Sequence, residues 1–217
     1  MIGAHRIKVC GITSAADAAT AIRAGADFIG INCWKGSPRF VPAAARAALL
    51  IEIPAAARVA VTVNPSPDEA KGLIEEGFAV VQAHFDPSAK ECDPKALSTR
   101  IGKDRLWLAP RVADGAAWPE TLLPLAAGFV HDAHAKEAFG GTGRRSDWAR
   151  FASLVKKHPA CLWILAGGLS PSNVAQAAEE TAAPCLDLNS GVELSPGLKS
   201  AEKLHEVRQA LHNNRQS

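Results

Sequence analysis

The chain lacks any apolar run approaching the roughly 18 residues needed to span a bilayer, so no membrane partner is expected. Its opening, MIGAHRIKVCG, has neither the apolar stretch nor the small-residue cleavage site of a secretory signal, and a cytoplasmic location is the expectation. Net charge is small, at +2, and the basic residues are scattered. That gives no strong pull toward nucleic acid or anionic lipid, and no nucleic-acid partner is expected. Cysteine is sparse and odd in number: five, at 10, 33, 92, 161 and 185, with no C-x-x-C pair. A disulfide framework or a cysteine zinc site is therefore not expected, and most of these thiols should be inert small hydrophobes. Linker-like and low-complexity segments are missing as well. Residues 1–217 are read as a single domain, and the pattern sets no oligomeric state.

What is present is a repeat. Eight short apolar runs recur: IKVCG (7–11), DFIGIN (27–32), RVAVTVN (58–64), AVVQAH (79–84), RLWLAPRV (105–112), GFVHDA (128–133), LWILAGG (162–168) and CLDLNSG (185–191). Each is rich in Val, Ile, Leu or Phe, as strands buried on both faces are. Segments of helical period alternate with them. SAADAATAIRAG (14–25) opens on a capping Ser14 with Asp17 at the third helical position and stops at Gly25. SPDEAKGLIEEG (66–77) repeats that logic with Ser66, Pro67 and Gly77, and SPSNVAQAAEET (170–181) repeats it again. Segments 147–158 and 201–212 are helical in period; 42–52 and 94–101 serve after the second and fourth strands, and the helix after the fifth is indistinct. Alternating strands and helices imply parallel pairing through right-handed crossovers, and eight such units predict an α/β fold, the closed (β/α)8 TIM barrel. The alternative, an open doubly wound sheet, would advertise a Gly-rich fingerprint after its first strand, and CGITSA is not one.

Such a barrel keeps its chemistry at the C-terminal strand ends. The polar residues there are Cys10, Asn32, Asn64, Gln82, His84, Arg111, Asp132, Asp187 and Asn189. Strand alternation puts Lys8 with Cys10, Gln82 with His84, and Asp187 with Asn189 on shared faces. A lysine close to Cys10 favours the thiolate and lowers a thiol pKa from about 8.5; the competing reading is a packed core cysteine beside a lysine that reaches outward. Asp132 is either a general acid with a raised pKa or a loop cap. His131 and His134 point to opposite faces and have no evident third partner, so no metal is expected. AGGLSPSN (166–173) and NSGVELSPG (189–197) are candidate phosphate loops after strands seven and eight. FGGTGRRSDW (139–148) is read as a glycine-hinged lid or an ordinary turn. Arg39 in SPRF offers a planar fork for a carboxylate or is a solvated surface arginine.

KVCGIT, GADFIGI, SPRFV, VQAH, GGTGRRSDW, LAGGLSPSNV and SGVELSPGLKS occur in that order, from about residue 7 to residue 200. Together they resemble the phosphoribosylanthranilate isomerase family of tryptophan biosynthesis. The resemblance implies a cofactor-free Amadori rearrangement of N-(5-phosphoribosyl)anthranilate, a phosphosugar carrying an anthranilate group, to 1-(2-carboxyphenylamino)-1-deoxyribulose 5-phosphate. It puts the general base on Cys10, the general acid on Asp132 and the anthranilate carboxylate on Arg39. Phosphate falls on Gly167, Gly168, Ser190 and Gly191, and Gln82, His84 and Asp187 complete the substrate-binding set. The chain departs from the family pattern in INCWKGSPR, where Trp34 stands for the usual aromatic wall, in VQAHFD, in His131 and in the pair Asn189-Ser190. A paralogous barrel that isomerises or binds another phosphorylated sugar is the alternative, since fold alone does not separate the two. A non-catalytic binding barrel is a third reading, although a binder needs neither Cys10 nor Asp132.

Overall fold

The computed structural model describes residues 5–113, 116–132 and 147–213. Eight parallel strands close into one barrel in chain order: β1 (Arg6–Cys10), β2 (Phe28–Asn32), β3 (Arg58–Val63), β4 (Val80–Phe85), β5 (Leu106–Pro110), β6 (Gly128–His131), β7 (Leu162–Leu165) and β8 (Cys185–Leu188). Closure comes from β1 pairing with β2 on one side and β8 on the other, with Lys8 level with both Phe28 and Asp187. The helices are α1 (Ala15–Arg23), α2 (Ala43–Ile51), α3 (Pro67–Glu75), α4 (Pro94–Ile101), α5 (Trp148–Lys157), α6 (Val174–Thr181) and α7 (Ala201–Asn213).

The ends of these helices follow local chemistry. Ser14 accepts the backbone N–H of Asp17, and Ser66 forms a reciprocal capping box with Glu69. Caps of this kind contribute about 1 kcal/mol each. Gly25 and Gly77 then leave α1 and α3 at φ +98° and +104°, which a side chain rarely tolerates.

One indistinct element becomes defined and two expectations need correction. The crossover between β5 and β6 carries a 3-10 helix, Glu120–Leu125, because Pro124 inside it removes a backbone donor. Helix α6 starts at Val174 rather than just after Ser170. The Asn173 amide folds back instead, accepting from Ser170 N at 2.9 Å and donating to the Gly168 carbonyl at 2.9 Å, so SPSN is a loop clasp. Third, NSGVELSPG is more than a loop. An antiparallel hairpin, β9 (Glu193–Ser195) and β10 (Leu198–Lys199), follows β8, turning at Pro196 and at Gly197 with φ +85°. In FGGTGRRSDW, residues 139–146 lie outside the described residues, as does His134; Asp147 caps α5 by accepting Arg150 N at 3.0 Å.

Alternation along the strands sorts side chains into two cores. Ile7, Val9, Ile29, Ile31, Val81, Leu108, Phe129 and Leu186 face the helices. Val59, Val61, Val80, Trp107, Val130, Ile164 and Cys185 fill the barrel. The interior is packed by size complementarity: a Cβ on Gly128 would stand 2.6 Å from the Trp107 indole, and one on Gly30 would stand 2.9 Å from Cys10 Sγ and 3.2 Å from Lys8 Cε. Glycine at 30 thus makes room on the neighbouring strand for the two side chains that KVCG turns inward.

Candidate active site

At the C-terminal mouth of the barrel lies a cavity of about 240 Å³. Cys10 reaches it from β1 and Asp132 from the residue after β6, so the thiol and the carboxyl face one space. Gln82 and His84 from β4, Asp187 from β8, Arg39 from the β2 loop, and Gly167, Gly168, Ser190 and Gly191 also line it. Every residue named from the sequence for catalysis, substrate or phosphate is brought to this cavity. Asn32, Asn189 and Trp34 join them, whereas Asn64 and Arg111 are not among its lining residues. Of the five free thiols, Cys10 alone lines it.

Below the mouth, Lys8 is fully buried and donates from Nζ to Asp187 Oδ2 at 2.7 Å. It does not reach outward. Burial works against its charge, yet Asp187 more than compensates, and the Lys8 pKa rises. The expected lowering of the Cys10 pKa is not what the surroundings produce. Burial of the thiol is the largest influence and pushes it up; Lys8 and Lys199 pull it down, but less. Burial thus favours the protonated form of Cys10. Beside Lys8, His84 is depressed to about 4, by burial first and by Lys8 second, and is neutral at pH 7. The Gln82 amide nitrogen lies 2.8 Å from His84 Nε2. This contact ties the neutral ring to the Gln82 side chain. Gln82 Oε1 and Asp187 Oδ1 are buried acceptors with no hydrogen-bond donor among the described residues.

Arg39 is buried, not solvated. Its Nε and Nη2 meet both oxygens of Glu193, at 2.9 and 2.6 Å. Lys199 donates to Glu193 Oε1 at 2.7 Å and to Asn189 Oδ1 at 3.1 Å. Burial alone would raise Glu193, but the two cations hold its carboxyl below the usual range. Glu193 and Lys199 escaped the reading of strand ends because they belong to the unforeseen hairpin; both stand inside SGVELSPGLKS, which was the available signal.

The mouth after β7 and at the start of the β8 loop is made largely of backbone. Gly167 and Gly168 leave β7 at φ +91° and +66°, conformations that favour glycine. A Cβ on Gly191 would stand 2.0 Å from the Leu169 carbonyl oxygen, so only glycine lets the β7 and β8 loops touch. Loops after the seventh and eighth strands with exposed N–H groups form a ready anion cradle.

A closed parallel barrel with a thiol and a carboxyl facing one cavity, flanked by glycine loops, defines a TIM-barrel enzyme built for a small phosphorylated substrate. Comparison narrows the class. Residues 7–210 match the family model described as N-(5'phosphoribosyl)anthranilate (PRA) isomerase. The chain is 38% identical to the N-(5'-phosphoribosyl)anthranilate isomerase of Bordetella avium, over 93% of this chain and 92% of that one. It is 33% identical to the isomerase of the same name from Zymomonas mobilis, over 95% and 97%. A crystal structure of phosphoribosyl anthranilate isomerase from Thermus thermophilus superposes with a TM-score of 0.80 at 30% identity, covering 96% of this chain and 98% of that one. The chain belongs to the N-(5'-phosphoribosyl)anthranilate isomerase family.

Proposed function

We infer that the protein isomerises N-(5'-phosphoribosyl)anthranilate by an Amadori rearrangement, with Asp132 as general acid and Cys10 as general base. The observation that carries this reading is the placement of a thiol and a carboxyl on strands β1 and β6, facing one cavity whose third side is the pair of glycine loops. Phosphate binds to the backbone of Gly167, Gly168, Ser190 and Gly191, and the anthranilate carboxylate meets Arg39. These two anchors stretch the sugar across the mouth. Asp132 gives its proton to the ring oxygen, the C1–O bond breaks, and the nitrogen lone pair forms a protonated Schiff base. Cys10 as thiolate then takes the proton from C2, the C2–H electrons move into the C1–C2 bond, and the resulting enolamine tautomerises to the ketone. The iminium created by the first step is a new cation inside a poorly hydrated cup. It opposes the burial that holds Cys10 protonated, so the thiol releases its proton to solvent at the mouth and the thiolate is present when C2 is to be deprotonated. Gln82 Oε1 and Asp187 Oδ1 supply acceptors for the sugar hydroxyls.

Purified protein mixed with freshly made phosphoribosylanthranilate should quench the substrate's fluorescence. No quenching beside an active control isomerase would overturn the reading, and failure to complement an isomerase-deficient tryptophan auxotroph would favour another phosphosugar. A cytoplasmic location follows from the same reading: five free thiols suit a reducing compartment, and no described helix is long and apolar enough to cross a membrane.

A further inference from the structure

We propose that Glu193 and Lys199 are positioning residues of this site: the Glu193 carboxylate seats the planar fork of Arg39 on the cavity wall, and Lys199, held by the same carboxylate and by Asn189, brings a second cation to the rim beside Gly11 and Cys10. The proposal rests on the reading of Cys10 as base. It begins from an oddity of the β9–β10 hairpin. Leu194 and Leu198 on this short rim element are exposed, at 67% and 49%, whereas its two charged side chains are buried, Glu193 at 5% and Lys199 at 4%. Burying an ion cluster is expensive, and apolar residues of similar volume are often at least as stable, so such a cluster is weak support for a purely architectural role.

The contacts point inward. Glu193 binds Arg39 through two parallel N–H···O contacts, geometry that fixes the plane of the guanidinium as well as its position. The stem of Arg39 lies against Gly11, where a Cβ would stand 2.5 Å from Arg39 Cδ. From the other side, Lys199 Nζ bridges Glu193 Oε1 to the side-chain and backbone oxygens of Asn189, at 3.1 and 3.3 Å. Asn189 precedes Ser190 in the cavity wall, so one carboxylate links the Arg39 wall to the phosphate-side loop. The hairpin itself is pinned to the loop after β1, with Thr13 Oγ1 donating to the Gly197 carbonyl at 2.7 Å and Gly197 N donating to Glu193 Oε1 at 3.2 Å.

Charge completes the case. Around Cys10 stand Lys8 on its own strand, Asp187 on β8, Arg39 after β2 and Lys199 on β10, with His84 of β4 and Asp132 after β6 sharing the cavity. Lys8 and Asp187 offset one another. Burial lowers the Lys199 pKa and raises that of Asp187, yet Lys199 still favours a Cys10 thiolate against the burial that opposes it.

The test uses the full chain and two opposed substitutions, Lys199→Met and Glu193→Gln, with Lys199→Arg and Glu193→Asp as conservative partners. Iodoacetamide labelling of Cys10 is followed against pH by peptide-resolved mass spectrometry, which separates it from the other four thiols. Lys199→Met should move the half-reaction pH up, and Glu193→Gln should move it down, each by about half a unit or more. Glu193→Gln should also raise KM for phosphoribosylanthranilate roughly 10- to 100-fold by unseating Arg39, and Glu193→Asp should recover part of that. A merely structural triad would lower the stability of both variants and shift neither titration. Titrations that coincide with wild type, or that move in the same direction, overturn the proposal. If Glu193→Gln does not fold by circular dichroism, the lysine pair decides: an upward shift in Lys199→Met restored in Lys199→Arg supports it, and no shift overturns it. Opposed thiol shifts in a wild type without turnover would refute the isomerase reading and leave the positioning role standing; turnover without shifts would do the reverse.

Discussion

The two sides of the barrel mouth are built from different materials. After β7 and β8 the wall is backbone: Gly167 and Gly168 at positive φ, and Gly191 pressed against the Leu169 carbonyl. Toward β1 and β2 the wall is buried charge that spans the barrel seam: Lys8 of β1 on Asp187 of β8, and Arg39 of the β2 loop together with Lys199 of β10 on Glu193 of β9. Under the proposed mechanism, the contrast matches what each side would have to do. A phosphate is the same anion throughout the reaction and is well served by fixed N–H dipoles that never change protonation. A thiol and a carboxyl that must exchange protons need neighbours whose charge tunes them, and a carboxylate ligand needs a fork held in one plane.

The largest break in that comparison comes from the proton-transfer pair. Cys10→Ser and Asp132→Asn should each lower kcat roughly 10²- to 10⁴-fold with a smaller change in KM, measured by steady-state fluorescence. Next is the floor of the charged side. Lys8→Met leaves Asp187 buried without its cation and should lose about 3–5 kcal/mol in urea unfolding, whereas the same replacement of exposed Lys71 should change little. On the backbone side, Gly191→Ala forces the β7 and β8 loops apart. It should raise KM for the phosphorylated substrate roughly tenfold, the equivalent of about 1.4 kcal/mol, while the Cys10 labelling profile stays where it was.

A pH signature of the charged side comes last. His84 titrates at about 4 in the fold against 6.5 in the unfolded chain. Between those values the unfolded state binds more protons, so stability is complete above pH 6.5 and is lost as pH falls toward 4. Urea unfolding measured across that window should show the decline, and His84→Gln should flatten it.

The backbone side was legible in the sequence and much of the charged side was not. Eight apolar runs separated by caps such as Ser14 and Ser66 betray the barrel, because strand burial and helix starts are local properties. Glycines 167, 168 and 191 betray a tight loop junction at the mouth, proposed as the phosphate side, because only glycine takes those conformations or allows that approach. Arg39 could be located by its motif, but its burial against Glu193 joins residues 154 positions apart in the chain, and no periodicity reports such a pair. Lys8 reaching Asp187 across the β1–β8 seam is long-range in the same way, and so is the balance at Cys10, where the lysine effect was foreseen and the larger effect of burial was not. SPSN misled for a related reason: its serine and proline match a helix start, and the competing clasp by Asn173 depends on where Gly168 has gone.

The most direct test of the acid–base pair is a single-turnover measurement on phosphoribosylanthranilate with enzyme in excess, comparing wild type with Cys10→Ser and Asp132→Asn. Wild type should convert the bound substrate rapidly, and each variant should bind it yet convert it at least about 100-fold more slowly. A variant that turns over its bound substrate at the wild-type rate would contradict the assignment of that residue, and with it the account of the mouth as a thiol and a carboxyl working across one sugar.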